Sequence, residues 1–315
     1  MSKFISVLVP VYNESAVLEE FHTRLNEVML ATGYGYEIVY VDDGSTDNSV
    51  AILEGVRADD RGVGILELSR NFGKEVALSA GLDHVRGDAV VIIDADLQDP
   101  PELIHTFLKE WGEGYDVVYG SRIERQGDSW LKRVTARGFY RILNMMSEVE
   151  IPENAGDFRL LSRRAVEALL ALPERHRYMK GLYAWIGFPQ KSVPFVRQPR
   201  RAGKSHWSYW RLWNFALEGI TSFSAVPLKF ASYLGVATSL FAMLYGGWFV
   251  LFGSPEPGYP PWLIVMLFLG GVQLICLGII GEYMARTYQE SKGRALYFVK
   301  GYHPARVEDV TPEIH

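Results

Sequence analysis

Two stretches near the C-terminus constrain this chain more than any other feature. Residues 227–252 (PLKFASYLGVATSLFAMLYGGWFVLF) carry one charge, Lys229, close to their start, and residues 262–281 (WLIVMLFLGGVQLICLGIIG) carry none. A helix of about 20 residues crosses a hydrocarbon core roughly 30 Å thick, and each stretch is long enough. The competing assignment is a pair of core helices buried in a soluble domain. Trp248 and Trp262 flank the connecting loop, where interfacial aromatic side chains collect. That loop, GSPEPGYPP, has no Lys or Arg, whereas Lys229, Arg286, Lys292 and Arg294 stand at the outer ends. The positive-inside rule then predicts a multi-pass protein of the inner (plasma) membrane, with spans at 227–252 and 262–283 and both termini cytoplasmic.

Upstream of residue 225 the pattern changes to short β-branched runs alternating with helical stretches. ISVLVP, YEIVYV, GILELS, AVVIID and DVVYGS are bounded by turn residues and separated by segments such as SAVLEEFHTRLNEVML. Continuous apolar runs predict strands covered on both faces, and strand–helix alternation predicts a mainly parallel sheet. The expected fold is an open α/β sandwich of Rossmann-like character, in which ligands gather at the carboxyl ends of the strands. The opening MSKFISVLVPVYNE lacks a small-residue cleavage site, so it reads as a first strand and leaves this domain in the cytoplasm. The implied organisation is a catalytic domain over 1–200, an interfacial region over 201–226, the hairpin over 227–284 and a cytoplasmic C-terminal tail over 285–315 whose end after Tyr302 is short and polar. Trp207, Trp210 and Trp213 recur at helical spacing just before the hairpin; a helix lying in the membrane interface is favoured over a core stripe.

Several function classes drop out. A net charge of −5 argues against a general nucleic-acid binder. One cysteine, Cys276, permits neither an internal disulfide nor a thiolate cluster, and the seven histidines show no zinc-site spacing. There is no GxGxxG and no Walker sequence, which disfavours a Rossmann oxidoreductase and a P-loop NTPase.

What remains is acidic. Strand one ends in Pro10-Val11-Tyr12-Asn13-Glu14, strand two in Asp42-Asp43-Gly44-Ser45-Thr46-Asp47, and strand four in Asp94-Ala95-Asp96-Leu97-Gln98-Asp99. Any one of these carboxylates, Asp47 or Asp99 for instance, could simply cap the next helix. Three such ends on one sheet edge suggest a site. In an extended segment the i, i+2 pair Asp94 and Asp96 faces one side, and two adjacent anions repel unless a cation lies between them. Mg²⁺ or Mn²⁺, which favour oxygen ligands and leave positions for phosphate oxygens, suit such a pair.

ISVLVPVYNE, VDDGSTD and DADLQDPPE, in this order, resemble the GT-A glycosyltransferases of family 2. NAGDFRLLSR, RRAGKSHW and the two-span C-terminus narrow the likeness to polyprenyl-phosphate sugar transferases: dolichol-phosphate mannosyltransferases and especially bactoprenol glucosyltransferases. The resemblance implies nucleotide contacts at Pro10, Tyr12, Glu14, Asp42 and Asp43, and a diphosphate-bound metal at Asp94 and Asp96 with Gln98 alongside. It matches Asp157 to the family residue proposed as catalytic base, and Arg200 and Ser205 to an Arg-x-x-Gly-x-Ser-Lys element whose final position here is His206. Lys204 or Arg201 would then supply the missing charge.

Two basic groups point independently to an anionic acceptor. Arg197, Arg200, Arg201, Lys204 and Arg211 occur without an intervening Asp or Glu, and Lys132, Arg133, Arg137 and Arg141 follow Trp130 at helix-like spacing. Attraction to anionic headgroups is one reading. The stronger is a grip on a lipid phosphate, for which the guanidinium fork is suited.

The expected reaction moves one sugar, glucose from UDP-glucose by resemblance, onto polyprenyl (undecaprenyl) phosphate, with inversion at the anomeric carbon. A phosphate monoester with a second pKa of about 6 is already largely ionised near neutrality, so Asp157 need not be a strong base and can instead orient Arg200, the sugar or the metal. A GDP-mannose-dependent transferase is the nearest alternative. A processive polysaccharide synthase is disfavoured because Gln198-Pro199-Arg200-Arg201-Ala202 lacks the Trp of a Gln-x-x-Arg-Trp motif. A silent membrane scaffold is disfavoured by the intact acidic strand ends. Self-association is compatible with a membrane anchor.

Overall fold

The structure, a computed structural model, describes residues 3–123, 155–175, 177–197, 224, 226–252 and 261–306. The expected strands are present as β1 (Phe4–Val11), β2 (Gly35–Asp42), β3 (Val63–Leu68), β4 (Ala89–Ile92) and β5 (Val117–Arg122). Three more join them: β6 (Ala155–Ser162), β7 (Gln190–Phe195) and β8 (Val299–His303). All eight form one sheet in the order β7-β5-β6-β4-β1-β2-β3-β8. The central block β3-β2-β1-β4 is parallel, β5 and β7 are parallel to each other, and β6 and β8 run antiparallel to their neighbours.

The apolar runs are two-sided, as their composition predicts. Ile5, Val7 and Val9 of β1 face one core, shared with Phe21 and Leu25 of α1 (Leu18–Thr32), Leu53 of α2 (Ser49–Asp59) and Phe107 of α4 (Leu103–Gly112). Leu8 of the same strand faces the other core, with Leu78 and Leu82 of α3 (Lys74–His84), Val166 of α5 (Arg163–Leu170) and Leu182 of α6 (Met179–Trp185). Alternation along a strand produces this division, and helices on both faces are what a buried parallel block requires. Helix α3 lies so close to β1 that a Cβ on Gly81 would fall 2.1 Å from a Leu8 methyl carbon.

The hairpin consists of α7 (Val226–Phe252) and α8 (Pro261–Ser291). Core helices are excluded: within the apolar windows Val226–Tyr245 and Phe268–Ser291 only 6% of residues are buried. Large side chains such as Phe241, Leu244, Leu251 and Leu274 are exposed instead. The two helices meet through Ala231 and Val272, with Cys276 Sγ 3.5 Å from the Ala231 carbonyl and the Tyr283 hydroxyl donating to Ser224 O at 2.6 Å. At about 1.5 Å per residue, α8 is roughly 46 Å long, more than a bilayer core needs. Its last turns, with Glu282, Arg286 and Glu290, therefore extend beyond the uncharged run 262–281.

The C-terminal tail expected over 285–315 needs correction. Helix α8 continues to Ser291, and β8 then enters the catalytic sheet beside β3. Lys300 pairs with Glu67 at 2.8 Å, Tyr297 donates to Asp83 at 2.7 Å, and Arg306 N donates to Arg61 O at 2.8 Å. A five-residue strand with the sequence VKGYH carries little apolar signal because it covers an edge and buries no face of its own.

Candidate active site

Sheet register explains how the site assembles. Strand β6 runs antiparallel to β4 with Ile92 opposite Arg159. Two residues beyond Ile92 and two before Arg159 are Asp94 and Asp157, so the pairing sets these carboxylates side by side. Lys74, the first residue of α3, lies between them. Its Nζ is 2.7 Å and 2.8 Å from the two Asp94 oxygens and 2.5 Å from Asp157 Oδ2.

Asp94 and Asp96 are not on extended backbone, as the sequence suggests. Strand β4 ends at Ile92 and the chain turns, with Leu97 at a φ of 57° and Gln98 N donating to Asp96 Oδ1 at 3.1 Å. A left-handed non-glycine residue costs about 1–3 kcal/mol, and full burial of the Leu97 side chain returns a similar amount. The turn separates the partners of the two carboxylates. Asp94 takes Lys74, whereas Asp96 lies 3.8 Å from Arg197, which is also 3.5 Å from Asp99. Arg197 follows the end of β7, whose last residue Phe195 pairs with Arg122 of β5. The basic stretch that suggested an acceptor grip thus begins at the acidic turn itself.

Asp99 does not cap α4. Both its oxygens are buried without a hydrogen-bond partner, and burial, then Asp94, push its pKa up to about 6 against the pull of Arg197 and Arg122. Asp157 shows the opposite balance: burial would raise it, but Lys74 and Lys180 hold its carboxyl far below the usual range. Lys74 itself would be lowered by burial, yet Asp94 and Asp157 outweigh this and raise it. Behind the pair, Glu75 is pushed up to about 7 by burial and by Asp157, while burial lowers Lys180. Arg159 fixes the backbone at Asp157, donating to Gly156 O at 2.7 Å from a position over the Tyr183 ring.

The other two strand ends form a stitched pair of loops. Asn13, at a φ of 56°, receives Ser45 Oγ as acceptor for its N–H at 3.0 Å, and its own Oδ1 accepts from Thr46 N at 2.8 Å. Glu14 N donates to Ser49 Oγ and Ser15 N to Asp47 Oδ2. Asp47 also accepts from Ser49 N, so the turn-holding reading suits it. Pro10 is partly buried beside Val41, Val11 after it is buried, and Tyr12 is left 46% exposed. Asp42 accepts from Ser45 N at 3.1 Å. Asp43 accepts from Phe72 N at 2.7 Å and Gly73 N at 2.9 Å, holding the loop that presents Lys74. Strand β1 thereby separates a β1–β2 group from the Asp94 group.

Arg133, Arg137, Arg200, Arg201, Lys204 and Ser205 lie outside the described residues, as do Lys132, Arg141, His206 and Trp207, Trp210 and Trp213. Lys74, Glu75, Lys180, Arg122 and Arg159 are additions. Lys74 had a sequence signal: SRNFGKE follows β3 as the acidic motifs follow β1, β2 and β4, but a strand end without carboxylates does not attract notice.

The donor set suits a hard divalent ion. Asp94 and Asp96 offer carboxylate oxygens, and buried Asp99, without a hydrogen-bond partner and with Arg197 3.5 Å away, adds a third carboxylate at the same turn. Among the described residues no three His, Cys, Asp or Glu side chains form a closed metal cage. An open set is what an ion shared with a diphosphate requires.

A model of glycosyl transferase family 2 matches residues 6–170, more than half of the chain. The chain belongs to glycosyl transferase family 2. It is a glycosyltransferase with a GT-A-like mixed α/β sheet. A second model, the GtrB C-terminal hairpin, matches residues 226–287 and coincides with α7 and α8, consistent with membrane association. Similar proteins include an uncharacterized glycosyltransferase of Synechocystis sp., 51% identical over 94% of this chain and 94% of its own. The bactoprenol glucosyl transferase of Shigella phage SfV is 47% identical over 94% of this chain and 98% of its own. A prophage bactoprenol glucosyl transferase homolog of Escherichia coli is 45% identical over the same shares.

Proposed function

We propose that this glycosyltransferase moves a single glucose from a nucleotide-diphosphate glucose, UDP-glucose by preference, to a polyprenyl phosphate at the cytoplasmic face of the inner membrane. The carrying observation is the convergence of Asp94, Asp96, Asp99, Asp157, Lys74 and Arg197 at the strand ends of a chain with an exposed apolar hairpin. The similarity to bactoprenol glucosyl transferases over nearly the full chain supports the glucosyl group and the polyprenyl acceptor. Lys229, Arg286, Lys292 and Arg294, at or just past the outer ends of the two spans, support cytoplasmic termini.

In this reading the loops after β1 and β2, with Tyr12, Glu14, Asp42 and Asp43, receive the nucleoside. Asp94, Asp96 and Gln98 hold Mg²⁺ or Mn²⁺ at the donor diphosphate. When bound, that ion supplies positive charge for the diphosphate as it leaves. Arg197, beside Asp96 and Asp99, adds a cation at the same turn. Arg200, Arg201, Lys204 and Ser205 follow it within eight residues and grip the acceptor phosphate with Arg133 and Arg137. One acceptor oxygen forms a bond to the anomeric carbon as the bond to the diphosphate oxygen breaks on the opposite face, giving inversion and free nucleoside diphosphate.

Asp157 is not the base in this scheme. Its Oδ2 is occupied by the Lys74 ammonium, and its depressed pKa makes it a poor proton acceptor. The acceptor phosphate is already ionised at neutral pH, so Asp157 acts by holding Lys74. The test is incubation of membranes containing the full chain with labelled UDP-glucose or GDP-mannose and undecaprenyl phosphate. A single-glucose lipid from UDP-glucose, lost in Asp96→Ala, is expected. A long polymer, or no lipid product from either donor, overturns the proposal.

A further inference from the structure

Lys74 is an unusual occupant for a donor site. It provides the one positive charge within hydrogen-bond distance of both Asp94 and Asp157 among the described residues, bonding both oxygens of the first and one of the second. The same two Asp94 oxygens are the ones the donor-bound cation needs. Both cannot be served fully at once, because an ammonium and a divalent ion on one carboxylate repel.

The local architecture lets the lysine move without losing its place. Its backbone is fixed: Asp43 clamps the N–H groups of Phe72 and Gly73, and Gly73 takes a φ of 99° that starts α3 directly afterwards. The side chain is not fixed in the same way. It is 39% exposed, against 19% for Asp94 and 17% for Asp157, so the lysine is the most solvent-accessible of the three. Arg159 bonds the backbone carbonyls of Gly156 and Asp157, so this carboxylate remains as a tether when the other contact breaks.

We propose that Lys74 is a positioning residue which neutralises Asp94 and Asp157 before the donor binds, gives up Asp94 on donor loading, and then, tethered by Asp157, directs its ammonium at the departing diphosphate. This rests on the assignment of Asp94 to the donor's cation made above. It gives Asp157 a defined task, and it accounts for a lysine among carboxylates that a cation would otherwise occupy unopposed.

The test measures Mn²⁺ binding to the detergent-solubilised full chain by electron paramagnetic resonance of free Mn²⁺, with UDP present and absent. Lys74→Met, and Lys74→Gln as a second replacement, are expected to bind Mn²⁺ roughly tenfold more tightly than wild type, because the competing ammonium is gone. Their kcat should fall while KM for UDP-glucose changes little, and Lys74→Arg should restore both affinity and kcat toward wild type. A residue with only a structural role would not tighten metal binding. Unchanged or weaker Mn²⁺ binding in both neutral variants overturns the proposal, as does tighter binding with wild-type kcat. Asp94→Asn separates the two layers. If it binds Mn²⁺ as wild type does, the metal assignment fails and the Lys74 role falls with it. If it loses Mn²⁺ while the Lys74 variants do not gain, the Lys74 role alone fails.

Discussion

Asp42 and Asp43 are adjacent and equally buried, yet their surroundings predict very different responses to Asp→Asn. Asp43 is 3% exposed, and its two oxygens accept from Phe72 N at 2.7 Å and Gly73 N at 2.9 Å. An asparagine keeps one acceptor and turns an NH₂ toward the second N–H. One charge-assisted bond is lost, about 1.5–3 kcal/mol, and a buried N–H is left unmet, about 1–3 kcal/mol. Burial of the anion offsets part of this, since it raises the Asp43 pKa even against the two bonds. A net loss of about 2–4 kcal/mol remains. With roughly 2–4 °C per kcal/mol for a domain of this size, Asp43→Asn should melt roughly 5–15 °C earlier. Among the described residues Asp42 accepts only from Ser45 N, at 3.1 Å and 3.3 Å, so Asp42→Asn should cost about 1 kcal/mol or less. Tryptophan fluorescence during thermal unfolding of the solubilised full chain measures both. Equal shifts, or none for Asp43→Asn, would refute the idea that Asp43 braces the Lys74 loop.

Three further outcomes follow from the same framework. Gly44→Ala should destabilise by at least about 2 kcal/mol in urea unfolding, because φ is +69° and the new Cβ would lie 2.5 Å from the Arg70 carbonyl carbon. Glu37, wholly buried, accepts from Ser6 Oγ at 2.6 Å, Arg86 N at 2.9 Å and Arg86 Nη2 at 3.0 Å. Glu37→Gln should cost about 2 kcal/mol, below the usual figure for a buried pair because Arg86 is half exposed. It should also speed hydrogen exchange at Arg306, since Arg86 holds the Ala305 carbonyl next to it. Desolvation would raise the Asp116 pKa, but bonds from Arg164 and Ser162 hold its carboxyl below the ordinary value. A depressed carboxylate contributes stability that is present above its unfolded pKa of about 3.9 and is lost as pH falls through the folded value. Acid titration of Asp116→Asn should therefore lack part of the wild-type stability loss below about pH 4; an unchanged acid limb would refute it.

How much of this was legible in the sequence depended on what each residue does for its own segment. The five apolar strands were legible because burial on both faces leaves an unbroken β-branched run, and α7 and α8 because lipid tolerates almost no charge. Strands β6 and β8 were not. Ala155–Ser162 contains Asp157, Arg159 and Ser162, polar residues that its register matches to partners distant in sequence, and β8 covers an edge. At the site, Asp94 and Asp96 were visible as a pair but their geometry was misread, because nothing in DADLQ announces a leucine in left-handed conformation. Asp157 was visible only through family likeness. Lys74 depends on an antiparallel register between β4 and β6, which local pattern does not encode.

The two edges of the sheet show why a hairpin and a catalytic domain behave as one object here. The chain leaves the sheet from β7, at one edge, to enter the hairpin, and returns as β8 at the opposite edge. Anchorage at one edge alone would let the domain pivot about a single connection. Return at the far edge, with Arg175 N bonded to Glu290 of α8 at 2.9 Å and β8 paired to β3, ties both sides to the same pair of helices. The catalytic loops lie at the strand ends between these two edges, so a second attachment restrains the domain on the hairpin more than a single connection would. The proposed acceptor, a lipid phosphate at the membrane surface, would benefit from that restraint, because positional error of about 1 Å at the reacting atoms can cost roughly a hundredfold in rate.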